Sequence, residues 1–293
     1  MSPRRDAEPT GLSLYDRTAV TAAASVIRAY STSFSLATRL LGPRPRPHVR
    51  NVYALVRIAD EIVDGPAREA GLDETQQRHA LDMLEQETAD AVRTGFSTNL
   101  VVHAFAATAR ECGIGADLTA PFFASMRTDI STLSHDDASH DAYVYGSAEV
   151  VGLMCLAVFH NAGAAHPVPP PAHVVTGARA LGRAFQDVNF LRDLDHDASA
   201  LGRDYLAVDD QERTRTDVLD RIDADLAAAA AVIPELPADC RRAVTAAHDL
   251  FAALSERLRR ATPGAPRVRV PSSQKAQLAA HAWLGGAPRG ARS

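Results

Sequence analysis

In Phe185-Gln186-Asp187-Val188-Asn189-Phe190-Leu191-Arg192-Asp193-Leu194-Asp195-His196-Asp197, the residues Gln186, Asn189, Asp193 and Asp197 are spaced three, four and four. On an α-helix that spacing returns to one face. Two amide oxygens and two carboxylates therefore share a stripe, while Val188, Phe190, Leu191 and Leu194 take the other faces. A solvated polar face is the simplest account of any such stripe. It is weaker here, because the amides carry the stripe into an apolar segment. Carboxylate and amide oxygens are the donors that Mg²⁺ prefers, and Mg²⁺ usually keeps waters and binds substrate phosphates as well. Asp187 and Asp195 project off the stripe and read as solvated or supporting groups.

A second acidic pair lies in the other half of the chain, in Arg57-Ile58-Ala59-Asp60-Glu61-Ile62-Val63-Asp64. Asp60 and Asp64 are four apart, and Arg57 precedes Asp60 by three, so all three share a helix face. Val52, Leu55, Val56, Ile58, Ile62 and Val63 cover most of the remainder, which predicts a buried helix with an inward acidic stripe. Like charges at this spacing disfavour an isolated helix, and a divalent cation between the carboxylates reverses that.

Working outward, helical periodicity broken by Gly and Pro runs through the whole chain. It predicts helices at about 16–40, 46–64, 73–94, 98–112, 119–133, 139–161, 171–197, 215–233, 237–261 and 272–284. Asp73 and Thr98 are the expected N-caps, and Gly95 and Gly113 the expected C-terminal stops. No strand-turn-strand pattern, dinucleotide fingerprint or phosphate-binding Gly-rich loop is present. The expectation is an all-α, single-domain bundle over 1–293 around a central cavity, with about 1–12 and 286–293 disordered. Net charge is −5 with no basic block, which gives no support for a nucleic-acid partner. Cys112, Cys155 and Cys240 form no Cys-x-x-Cys pair and read as small buried hydrophobes in a reducing, cytoplasmic setting. The longest apolar run, Val150 to Phe159, is too short to span a bilayer, and peripheral membrane contact stays open.

Two acidic helices in an all-helical protein suit one task. Several Mg²⁺ ions would bridge the carboxylates to a diphosphate and neutralise it as a C–O bond breaks. The allylic cation left behind needs a water-poor cavity, where aromatic faces can stabilise it.

Five segments in order carry a resemblance to the squalene/phytoene synthase family of isoprenoid synthases. They are Tyr30-Ser31-Thr32-Ser33-Phe34, the segment Asn51 to Asp64, Tyr143-Val144-Tyr145-Gly146-Ser147-Ala148-Glu149-Val150-Val151-Gly152, the segment Gln186 to Asp197, and Gly202-Arg203-Asp204-Tyr205-Leu206. The resemblance covers about residues 25 to 210 and is weaker beyond. It implies that Asp60, Asp64, Asn189, Asp193 and Asp197 bind Mg²⁺, directly or through water. It also implies that Ser31, Ser33, Tyr53, Arg57, Gln186, Arg203 and Tyr205 contact diphosphate. Tyr145, Ala148 and Gly152 would line the prenyl cavity, although core packing accounts equally for the tyrosines and close helix packing for the small residues. The implied reaction is head-to-head condensation of two farnesyl or geranylgeranyl diphosphates through a cyclopropylcarbinyl diphosphate. NADPH is not indicated; its use stays open, since this family would bind it without a dinucleotide fingerprint.

Two departures bear on the acceptor. Glu149 stands where a small neutral residue is expected, and Ala207 stands where a proline is expected. They leave open transfer to a non-isoprenoid aromatic acceptor such as an indole, with a polar pocket near Glu149. A non-catalytic helical scaffold is a third reading, opposed by the intact Asp60, Asp64, Asp193 and Asp197. Elsewhere, the run Arg44, Arg46, His48, Arg50 reads as a solvated basic loop, and Ser134 to Asp141 as a solvated loop capping the next helix. Arg267, Arg269 and Lys275 resemble the basic segment before the family's last helix and are within reach of the diphosphate in that comparison.

Overall fold

Ser31 divides what periodicity predicts as one helix at 16–40. In the computed structural model, which describes residues 11–131, 137–200, 215–261 and 267–290, with backbone alone at 32–33, 131, 137–139 and 193–200, α1 (Gly11–Tyr30) ends there and α2 (Thr32–Arg39) begins. Ser31 takes an extended conformation, and its side chain accepts from the Phe34 N–H at 3.0 Å. A serine that can satisfy an orphan N–H of the next helix competes with continuing the first one. Ser33, Asp193 and Asp197 thus sit on described helix backbone with their side chains outside the described residues, and Arg203 and Tyr205 lie outside altogether.

The chain continues as α3 (Pro45–Val63), α4 (Pro66–Glu69), α5 (Glu74–Thr94), α6 (Leu100–Cys112), α7 (Ala116–Ser131) and α8 (Asp137–Val144). A π turn (Tyr145–Glu149) leads into α9 (Val150–Asn161), followed by α10 (Ala172–Ala200), α11 (Arg215–Val232), α12 (Ala238–Arg260) and α13 (Ser272–Trp283). No strand occurs among the described residues. Several ends follow from local chemistry. Asp73 caps α5 in a full capping box with Gln76, and Gly95 and Gly113 stop α5 and α6 at φ 86° and 74°. Asn99, rather than Thr98, caps α6, because its side-chain oxygen accepts from both Val101 and Val102. Gln77, fully buried, donates to the Ile62 carbonyl and closes the end of α3.

Basic residues 44–50, expected as a solvated loop, hold the fold together instead. Arg44 donates to both oxygens of Asp239 at 2.9 and 2.8 Å and to the Phe159 and Ala162 carbonyls, so it ties the start of α12 to the end of α9. Arg46 donates to carbonyls at the end of α2, and His48 pairs with Thr108 at 3.0 Å. Residues 286–290, expected to be disordered, are tied back as well: the Arg289 N–H donates to buried Asp249 at 2.8 Å. At the other end, Gly11 and Leu12 belong to α1.

Apolar side chains gather into two main clusters. One contains Leu55, Leu81, Phe105, Phe122, Phe123 and Met154 and holds the inner face of α3. The other contains Val188, Leu191, Ile222, Phe251, Leu254 and Leu258 and holds the inner face of α10. The first half of α10 joins the core that holds α3 through Val174, its second half belongs to the other core, and Leu181 packs against both. His140–Asn161 is long and apolar enough to cross a membrane, yet half of its most apolar window is buried within the fold. Its contacts with α3, α7 and α10 make it a central helix of the bundle.

α9 and α10 approach to backbone contact. A Cβ on Gly182 would lie 2.7 Å from the Ala148 carbonyl and 3.0 Å from Glu149 Cα, and one on Gly152 would lie 3.0 Å from the Ala178 carbonyl. Gly182→Val is expected to lower stability by about 1–3 kcal/mol through overpacking, outweighing the smaller gain in helix propensity. The denaturant midpoint measures this; an unchanged midpoint would show that the two helices can separate freely.

Candidate active site

Asp60 sits in the last turn of α3, and Asp64 is the residue that ends the helix, its N–H bonded to the Asp60 carbonyl at 2.8 Å. Burial, followed by the neighbouring Asp64 charge, pushes the Asp60 carboxyl well above the ordinary carboxylate range; Arg57 opposes the shift and Asp129 of α7 adds to it. Asp60 nevertheless keeps 29% of its side-chain surface accessible. The carboxyl is thus partly desolvated by the surrounding protein while remaining open to a ligand.

Arg57 has several partners. Its guanidinium is 3.9 Å from Asp60, pairs closely with Glu61, and lies over the Tyr30 ring at 4.6 Å. Burial raises the Tyr53 hydroxyl's pKa, while Arg57 and a hydrogen bond with Ser31 pull it down. The structure thus brings Ser31, Tyr53, Arg57 and Asp60 into one cluster. It adds Tyr30, Glu61 and Asp129. Glu61 escaped notice because it lies off the Asp60–Asp64 stripe. Asp129 was missed because a lone acid on α7 has no partner at helical spacing; its one signal is an acid next to Phe122, Phe123, Met126 and Ile130, all buried.

Phe34 connects this cluster to the second helix. Its ring centroid is 6.2 Å from Tyr53 on α3 and 6.4 Å from Phe185 on α10, next to Gln186. Phe185 stacks on Phe251 of α12 at 3.7 Å. Asp60 lies about 10 Å along α3 beyond Tyr53, and Asp193 about 12 Å along α10 beyond Phe185, at 1.5 Å per residue. Gln186 and Asn189 are half-buried on α10.

Tyr145 opens the π turn, half-buried against the first core, with the Arg179 guanidinium 5.1 Å from its ring centre. The Ala148 carbonyl and Gly152 both lie against the backbone of α10, at Gly182 and Ala178. Glu149 is 3% exposed and saturated by cations: Arg179 Nε donates to it at 2.6 Å and Arg183 Nη1 at 2.9 Å. Arg183 in turn donates to both oxygens of Asp225 on α11, at 2.7 and 2.6 Å. The departure at Glu149 is thus a paired structural carboxylate, which removes the observation that motivated an acceptor pocket beside it.

Asp187, read as solvated or supporting, is fully buried. Arg221 of α11 donates to it at 2.7 Å, and His140 of α8 stands 3.6 Å away. His140 is 3% exposed, so this residue does not belong to a solvated loop. Burial pushes the Cys112 and Cys155 thiols up to about 12 and raises Cys240 as well, which disfavours the thiolate at all three.

The sequence profile of the squalene/phytoene synthase family matches residues 27–275. A 15-cis-phytoene synthase from Paracoccus sp. (strain N81106 / MBIC 01143) is 28% identical over 270 residues, covering 85% of this chain and 84% of that enzyme. Phytoene synthase 3, chloroplastic, of Zea mays is 32% identical over 203 residues, 67% of this chain and 45% of the maize protein. Among solved structures, a dehydrosqualene synthase in complex with ligand superposes with a TM-score of 0.76 at 21% identity, covering 93% of this chain and 98% of that one. Squalene synthase HpnC from Alicyclobacillus acidocaldarius gives 0.70 at 21% identity, covering 84% and 95%. Those two likenesses establish the all-α fold, and the match over residues 27–275 goes further: the chain belongs to the squalene/phytoene synthase family, whose members are prenyltransferases.

Proposed function

We propose that this protein condenses two prenyl diphosphates, farnesyl or geranylgeranyl, head to head through a cyclopropylcarbinyl diphosphate. The observation that carries the reading is Asp60, a carboxyl held in the last turn of α3 beside Asp64 and Arg57, in an environment that disfavours its charge. A scaffold gains nothing from such a group. A site that takes up a cation together with an anionic substrate does.

The donor set fits Mg²⁺. Asp60 and Asp64 on α3, with Asn189, Asp193 and Asp197 on α10, are hard oxygen ligands on two helices, and the desolvated Asp60 lacks full compensation from Arg57 alone. When bound, Mg²⁺ would neutralise charge building up on the leaving diphosphate. The chain's own residues do the rest. Arg57, held by Glu61 and Tyr30, presents a fixed cation to diphosphate oxygens beside the Tyr53 and Ser31 hydroxyls. Ser33, Gln186, Arg203 and Tyr205 complete the diphosphate contacts in this reading. Tyr145, Ala148 and Gly152 shape the wall along which the prenyl chain lies, and the Phe34, Phe185 and Phe251 rings offer apolar surface that keeps water from the allylic cation. In this reading the protein works as one domain on a lipid-like substrate in the cytoplasm.

Asp60→Asn separates stability from turnover. A carboxyl whose pKa is higher folded than unfolded costs stability above its folded pKa; that cost vanishes below the unfolded value, about 3.9. In EDTA near pH 7 the variant should therefore melt at or above the wild-type temperature, and the two should converge in acid. With Mg²⁺ its diphosphate release should fall more than about 100-fold. A less stable variant, or an active one, would remove Asp60 from the site.

The reaction itself is tested by incubating purified protein and Mg²⁺ with farnesyl or geranylgeranyl diphosphate and extracting for mass spectrometry. A coupled C30 or C40 product from the diphosphate alone is expected. Diphosphate release with no coupled product, or an adduct formed only when an indole acceptor is added, would overturn the head-to-head assignment.

A further inference from the structure

The π turn that carries Tyr145 is held from two sides. On one side Ala148 and Glu149 lie against Gly182 of α10. On the other side α7 supplies three contacts with no role in the chemistry above. Ser125 Oγ donates to the Tyr143 carbonyl at 3.1 Å, the Tyr143 hydroxyl donates to Asp129 at 3.0 Å, and Gly146 sits directly on α7. A Cβ on Gly146 would fall 2.1 Å from Ser125 Oγ and 2.3 Å from the Pro121 carbonyl. Ser125, Asp129, Tyr143 and Gly146 are all buried.

These contacts fall where a helix is weakest. A π turn shifts the backbone ladder from i→i+4 to i→i+5, here with the Val150 N–H on the Tyr145 carbonyl. Carbonyls at such a junction are open to partners outside the helix, and buried ones need them. Ser125 supplies that partner to Tyr143, two residues before Tyr145. Asp129 holds the Tyr143 ring, whose centroid is 6.0 Å from Phe190 on α10, beside Asn189. Asp129 also lies near enough to Asp60 for its charge to act there. One helix therefore touches the tyrosine turn, the first acidic helix and, through Tyr143, the second.

We propose that Ser125 and Asp129 are positioning residues: a clamp on Tyr143 that fixes the π turn and sets Tyr145 relative to the acidic ends of α3 and α10. The kinetic consequence rests on the prenyl-transfer reading, whereas the clamp can be observed without turnover.

The test combines amide hydrogen exchange with kinetics on Ser125→Ala, Asp129→Ala, Tyr143→Phe and the Asp129→Ala/Tyr143→Phe double variant. Exchange over residues 143–150 should quicken roughly 10-fold in the first two, with α12 protected as in the wild type. kcat should fall roughly 10- to 100-fold with KM for the prenyl diphosphate within about threefold, the signature of misplaced rather than missing groups. The double variant should fall short of the product of the two single effects, because the Tyr143–Asp129 hydrogen bond is lost once and not twice. Unchanged exchange at 143–150, faster exchange throughout the chain, or effects that multiply in the double variant would each overturn the clamp. A wild-type protein with no turnover would overturn the prenyl-transfer reading, leaving the exchange result to decide the clamp.

Discussion

A carboxylate in a place where charge is unwelcome sets the terms for the rest of the molecule. Asp60 is desolvated, has Asp64 one turn away and feels Asp129 from α7, with Arg57 as its cationic neighbour. On an exposed helix, an i,i+4 acidic pair costs a few tenths of a kcal/mol, about 0.2–0.5. Inside a protein the same repulsion grows as the dielectric falls. The fold carries this cost by anchoring the helix that bears the acids. Its N-terminal flank is held by Arg44, its middle by Asn51 on Ala104 and Thr108, and its C-terminal end by Gln77.

The same logic explains why polar side chains cross the helix seams around α10. Glu149–Arg183–Asp225 and His140–Asp187–Arg221 each run from the α8 and π-turn segment through α10 to α11. In the first, Arg183 carries the sign opposite to both flanking carboxylates, and in the second Asp187 carries the sign opposite to Arg221. Such networks contribute little net stability when complete and cost several kcal/mol, about 3–5, when one partner of a buried pair is lost. Each ties α10 to the helices on both sides of it, on the stretch that leads to Gln186 and Asn189.

Helical class, most helix boundaries and the first acidic cluster could be read from the sequence because their causes are local. Spacing by three and four, the Asp73 capping box, and Gly95 and Gly113 at positive φ all act within one or two turns. The misreadings share a different cause. Ser31 ends α1 by capping α2, with no Gly or Pro to mark it. Arg44, Asp187 and His140 look solvated until partners up to 195 residues away are known. Glu149 looked like a group waiting for an acceptor; its partners Arg179 and Arg183 lie one turn apart on α10, a spacing that held the clue. The π turn leaves no mark in periodicity, since it adds one residue to an otherwise continuous apolar helix.

Joint binding of a divalent ion and a diphosphate between α3 and α10 is the central claim, and thermal unfolding with an unreactive farnesyl thiodiphosphate measures it directly. The account predicts stabilisation only when Mg²⁺ and the analogue are both present, reaching about 2.7 kcal/mol at a hundredfold excess over Kd. An equal shift from the analogue in EDTA, or no shift with both present, would contradict it.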